Sequence, residues 1–133
     1  MAKSYKLTVL IAVIIVVLSL MHINNLPKVG VKAIDKIGHF LAYFGLFLVA
    51  AFETMAKFRW SNVRYRSLIV IFILCSGFGV LMEVLQAWLT TYRHFDYLDM
   101  TANMTGAGIG FVFFSIGFKT IKKNWDKFKT TVY

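Results

Sequence analysis

The chain has 133 residues, 59% of them hydrophobic, with a single proline and a formal net charge of +9. That is too short for two ordinary domains and too apolar for a soluble one. Basic charge alone would admit a nucleic-acid binder, so the placement of the charges has to decide between that class and a membrane protein.

Four apolar stretches are read as membrane-spanning helices. The first covers Leu7–Met21. Lys3 and Lys6 precede it in the manner of a signal peptide, but no small-residue cleavage site follows, because the exit reads Met21-His22-Ile23-Asn24-Asn25. It is therefore expected to be a retained helix. The others cover Ile37–Met55, Ser67–Trp88 and Leu98–Ile121. The connections are short, so residues 1–133 read as one all-α domain, a polytopic bundle of four transmembrane helices. Cys75, the only cysteine, lies inside the third stretch and has no intramolecular partner to pair with.

The basic residues are unevenly spread. Lys3 and Lys6 precede the first helix, Lys57, Arg59, Arg64 and Arg66 lie between the second and third, and Lys119, Lys122, Lys123, Lys127 and Lys129 follow the fourth. Only Lys28, Lys32, Lys36 and Arg93 fall on the other side. The positive-inside rule then puts both termini in the cytoplasm. Trp60, Tyr65 and Trp125 suit the inner interface, and Trp88, Tyr92 and Tyr97 the outer one. Charge of this kind sets topology and contacts anionic lipid, and nucleic acid is not an expected partner.

Glu83 is the most informative residue, a carboxylate inside an otherwise apolar span. A charge at membrane depth is expensive, so one that persists usually faces the protein interior and carries function. Three helical faces converge on its level. At about 100° per residue, Asp35, His39 and Tyr43 align on the second helix, with Lys36 in the same arc. Ser76, Gly79, Glu83, Gln86 and Thr90 share a face of the third helix, and Asp99, Asn103, Gly106 and Gly110 share one of the fourth. Lipid cannot satisfy polar groups, so these stripes are expected to face one another. Gly79 and Gly106-x-x-x-Gly110 read as helix-packing notches. Asp35 and Asp96 stand where helices begin, and each has an alternative reading as an N-cap.

Helices 2 and 4 both present their N-termini to the outer mouth, where free N–H groups favour anions. Lys36 and Arg93 add full charges. The ligand expected there is a phosphate, pyrophosphate or carboxylate, with Asp35, Lys36, Tyr43, Gln86, Arg93, Asp96, Asp99 and Asn103 around it. His39 and Glu83 are the candidate acid and base. A metal held by His39, Glu83 and the aspartates is the lesser alternative, because no close metal-ligand spacing exists, and no cofactor is expected.

The ordered set Asp35-Lys36-x2-His39-x3-Tyr43, then Glu83-x2-Gln86, then Arg93-x2-Asp96-x2-Asp99-x3-Asn103-x2-Gly106-x3-Gly110 resembles the VanZ-like family. The resemblance runs from Asp35 to Gly110, without departure at these positions. It implies a small bacterial cytoplasmic-membrane protein of the cell envelope. The family is named for a protein of teicoplanin resistance, and its biochemical activity is not established. Such drugs act on wall precursors outside the membrane, on the side where this site is expected to open.

Three functions compete at this point. One is an enzyme or binder acting on an anionic lipid or lipid-linked cell-wall precursor headgroup. Another is an accessory protein whose polar layer holds a partner membrane protein or lipid. The third is a small proton-coupled transporter using Glu83 and His39, which the apolar inner halves of the helices disfavour. The topology is checked directly: a reporter fused after Tyr133 is expected to behave as cytoplasmic, and clear extracytoplasmic activity would invert the site's location.

Overall fold

The computed structural model describes residues 5–21, 31–58, 65–91 and 94–132. They form α1 (Lys6–Leu20), α2 (Val31–Phe58), α3 (Tyr65–Leu89) and α4 (Tyr97–Val132), and no strand occurs among them. Three helices contain stretches long and apolar enough to cross a membrane, Ala33–Lys57, Tyr65–Leu89 and Tyr97–Thr120, while Lys6–Leu20 is a shorter apolar helix. The all-α, membrane-embedded class expected from composition is the class observed. Two boundaries move. α2 begins six residues ahead of the expected Ile37, at Val31, and α4 runs past Ile121 to Val132, where no proline or glycine interrupts it.

Side-chain contacts fix the directions. Lys36 meets Asp99, Phe44 meets Phe113 and Phe52 meets Phe114, so α2 and α4 run parallel. Phe72 of α3 meets Phe111 of α4. Gly79 packs on Asn103, so α3 runs against α4. Gln86 reaches Ser19 near the end of α1, while Tyr5 and Thr8 near its start meet Thr54 and Glu53 of α2. The result is an up-down-up-down bundle. Tyr5 and the far end of α4 lie at one end, together with Lys57 and Arg66, and Asp35, His39 and Asp99 at the other.

The closest approach is between α2 and α4. A Cβ at Gly106 would stand 2.2 Å from the Phe40 carbonyl oxygen, and one at Gly110 would stand 3.3 Å from that of Phe44. The backbones touch there, which only a side chain of hydrogen permits. Below the contact the core is apolar: Tyr43, Phe47, Ala51 and Met55 of α2 pack with Ala107 and Phe114 of α4 and with Leu68, Ile71 and Cys75 of α3. Outward-facing Leu10, Val13, Ile73, Leu74, Ile109, Phe113 and Ile116 are exposed, as lipid-facing side chains are. Trp88 and Tyr97, both exposed near the polar end, and Tyr65 near the other suit membrane interfaces.

α1 is tied down at both ends by acceptors and donors from its neighbours. The Glu53 carboxylate of α2 accepts hydrogen bonds from the Leu7 and Thr8 amides at 2.9 and 3.0 Å and from the Thr8 hydroxyl at 2.6 Å. First-turn amides have no partner inside their own helix, and a carboxylate at a helix N-terminus also suits the dipole. At the other end the Gln86 amide donates to the Ser19 carbonyl at 3.0 Å, in the last turn.

The Gly106 contact gives a prediction. Gly106→Ala places a methyl group on backbone that cannot swing away, and a loss of at least about 2 kcal/mol is expected. Gly117→Ala, with nothing within 4 Å, serves as the matched control in the same helix. Thermal melting of the two variants in detergent checks this; equal melting temperatures would remove the close-contact argument.

Candidate functional site

α2, α3 and α4 each contribute a polar residue to one buried layer. His39 lies two turns inside the N-terminal end of α2, with its ring between α3 and α4. Its Nδ1 is 2.9 Å from Asn103 Oδ1 and 3.9 Å from Glu83 Oε1, and its Nε2 is 3.9 Å from Asp35 Oδ1. Glu83 is 1% exposed and Asn103 fully buried. Gly79, one turn before Glu83, makes the layer possible: a Cβ there would stand 3.0 Å from Asn103 Cβ and 3.2 Å from the Tyr43 ring. The small residue lets α3 come close enough to bring Glu83 beside His39.

The neighbours set the imidazole's hydrogen. Both groups facing Nδ1, the Asn103 oxygen and the Glu83 carboxylate, are acceptors, so Nδ1 carries the hydrogen and donates it to Asn103. A neutral ring then presents its lone pair at Nε2, on the side of Asp35. This is the arrangement of an oriented acid–base group, with the orienting partners behind and the working nitrogen toward the mouth. Glu83, buried behind the ring, acts through His39. Two buried donors beside them, Tyr43 OH and Asn103 Nδ2, make no hydrogen bond with any described residue. Buried polar groups normally find partners, so the layer is not saturated by the described side chains.

The mouth is built by Asp35, Lys36, Asp96 and Asp99. Lys36 Nζ donates to Asp99 Oδ1 at 2.8 Å and to Asp96 Oδ2 at 3.2 Å. Its ammonium is thus engaged with two carboxylates of α4, which differs from the expectation of an anion anchor. Asp96 caps α4, accepting from the Leu98 amide at 2.8 Å. That bond, followed by the Lys36 ammonium, holds the Asp96 carboxyl below the usual carboxylate value. Asp35 is not a cap: α2 starts at Val31, which places Asp35 in the second turn, where it faces His39.

Gln86 also departs from expectation. It is 2% exposed, but its amide goes to Ser19 of α1, so it secures that helix and does not join the His39 layer. Arg93 lies outside the described residues. Glu53, outside the residues the sequence singled out, caps α1; an acidic residue level with the start of the first helix was the available signal. The structure also brings the Asp35–His39 face of α2 against Asp99 of α4, as the facing stripes required. One ring nitrogen of His39 and one oxygen each from Asp35 and Asp99 lie within 4.8 Å of one another.

The polar layer is built of buried side chains. A cavity of about 570 Å³ lies elsewhere, between α1, α2 and α3, lined chiefly by apolar side chains such as Ala12, Leu46, Val70, Ile71 and Phe78. Its position toward the basic end, and the apolar core between, separate it from His39. Access to His39 therefore runs through the partly exposed Asp35, Lys36 and Asp96.

Asp96 supplies the prediction here. Asp96→Ala is expected to cost about 1 kcal/mol through loss of the cap, and Asp96→Asn clearly less, because Asn caps equally well. The lowered folded-state value means the carboxylate's stabilisation is complete above its ordinary value of 3.8. It is lost only as pH falls from there through the folded value. Melting temperature against pH for wild type and Asp96→Asn checks this; identical curves in the acid limb would exclude the assigned charge effect.

Comparison with known proteins agrees with the ordered motif. No curated protein and no solved structure matches the chain. A model of the VanZ/LLP1 family matches residues 2–119, most of the chain and all of the residues that build the polar layer and its mouth. The chain belongs to the VanZ-like family.

Proposed function

We propose that this protein binds, and in one version of the reading modifies, the polar headgroup of an anionic envelope lipid or lipid-linked cell-wall precursor at the His39 end of its bundle. That end faces the outer leaflet of the bacterial cytoplasmic membrane, and both termini are cytoplasmic. The observation that carries the reading is the oriented imidazole: His39, backed by Asn103 and Glu83, turns Nε2 toward a mouth lined by Asp35, Lys36 and Asp99. Such a site recognises a group that both donates and accepts hydrogen bonds, as sugar, phosphate and peptide headgroups do. Lipid reaches it laterally, from a membrane in which the bundle's exposed apolar faces already sit.

In this reading His39 is the group that touches the ligand and moves a proton, while Glu83 and Asn103 position it. Lys36 becomes available to a phosphate to the extent that Asp96 and Asp99 release it. A contribution to teicoplanin resistance follows if the bound headgroup belongs to a wall precursor that the drug recognises. The transporter alternative gains little support, since the layer beneath His39 is filled largely by Phe47, Ala51, Met55 and Phe114. The closed packing of the layer favours one second reading, an accessory protein in which the layer is a structural lock for a partner.

Two measurements separate these. Native mass spectrometry of gently extracted protein is expected to retain a specific polar lipid in wild type and to lose it in His39→Gln. Glu83→Gln, which keeps shape and hydrogen bonding, is expected to insert and fold normally. It should nevertheless reduce by tenfold or more, the scale of a general acid–base contribution, whatever protection wild type confers against a lipoglycopeptide. Full protection in Glu83→Gln with loss in Glu83→Ala would give the accessory reading the lead.

A further inference from the structure

We infer that Asp35, His39 and Asp99 form a binding site for one divalent transition-metal ion, with Zn²⁺ as the best fit. The inference goes beyond headgroup binding and stands on different observations.

The first is the donor set. A ring nitrogen of His39 and a carboxylate oxygen from each of Asp35 and Asp99 come within 4.8 Å of one another, contributed by two parallel helices locked together at Gly106. Three donors bound at about 2.0–2.2 Å are closer together than this, so binding draws the side chains inward by rotamer adjustment alone. One imidazole with two carboxylates suits Zn²⁺, and three protein ligands leave a fourth position open.

The second observation is the state of His39 itself. The residue is nine-tenths buried, and its Nε2 lies 3.9 Å from Asp35 Oδ1. Because Asn103 and Glu83 hold the hydrogen on Nδ1, Nε2 turns a lone pair toward carboxylate oxygens that are also acceptors. A cation placed among these acceptors is ligated by all of them at once. The Nδ1–H···Oδ1 bond to Asn103 is also the outer contact that metal-ligating histidines normally make, fixing the ring so that the other nitrogen points at the ion.

The third is charge. Lys36 is shared by Asp96 and Asp99 beside the donors. Lys36 takes Asp99 Oδ1, and a carboxylate's second oxygen remains able to ligate. A bound divalent ion attracts phosphate oxygens at its open position. That last link rests on the headgroup reading; ion binding does not.

The test is calorimetric titration of ZnCl₂ into full-length, tag-free protein in detergent, after removal of metal with a chelator. One ion per chain is expected, with affinity lowered more than tenfold in Asp35→Asn and in His39→Gln. His94→Gln, which removes a histidine outside the set, is expected to stay within twofold of wild type. Helical content and melting temperature without Zn²⁺ establish that each variant folds. Equal affinities in wild type and Asp35→Asn overturn the site. So does uptake that disappears in His94→Gln, which would place the ion on the surface. No uptake by wild type overturns it as well. The titration contains no lipid, so a blank result removes the ion and leaves the headgroup reading to its own mass-spectrometric test.

Discussion

A carboxylate and an imidazole buried within a membrane bundle persist only when other polar groups surround them. Neither lipid nor the apolar core can offer hydrogen bonds, and unmet polar groups at that depth cost several kcal/mol. In this protein the requirement falls on a single contact layer: Glu83 from α3, His39 from α2 and Asn103 from α4. Each of the three helices must be in register for the layer to close. Polar satisfaction therefore specifies how the spans are packed, in a solvent where hydrophobic burial between helices supplies little preference.

The small residues serve that layer. Gly106 brings the α2 and α4 backbones into contact, and Gly79 admits Asn103 and Tyr43 against α3. Without those notches the helices would stand apart by the width of a side chain, and the Nδ1–Asn103 bond of 2.9 Å would not form. Packing and chemistry are thus one arrangement. α1 takes a different part: it offers no polar stripe, and it is secured to its neighbours by Glu53 at one end and Gln86 at the other.

The distribution of polarity along the bundle also sets what the protein does with a ligand. The His39 layer occupies one end, and aromatic and aliphatic side chains fill most of the rest of the core, with Thr54 and Ser76 among them. A ligand is met at an end or a side and is not passed through. Lys36 is held by Asp96 and Asp99, so its ammonium already has two carboxylate partners.

The class of protein, the number of helices, their approximate limits and the three polar faces were all determined by the order of residues. Hydropathy and a helical repeat are local properties, and lipid leaves an intramembrane Glu83 no choice but to face inward. The family was legible too, because Asp35, His39, Glu83, Asp99 and Asn103 keep a fixed order and spacing. Which polar groups touch was decided only in three dimensions. Gln86 shares the Glu83 face of α3, yet a modest rotation about that helix turns it to Ser19 of α1. Asp35 looked like a cap until α2 extended back to Val31 and made it a neighbour of His39. Lys36 and Asp99 are distant along the chain, and their pairing exists because α2 and α4 run parallel. Helical periodicity gives the direction of a side chain around its own axis; the rotation of one helix against another is set by the packing of all four.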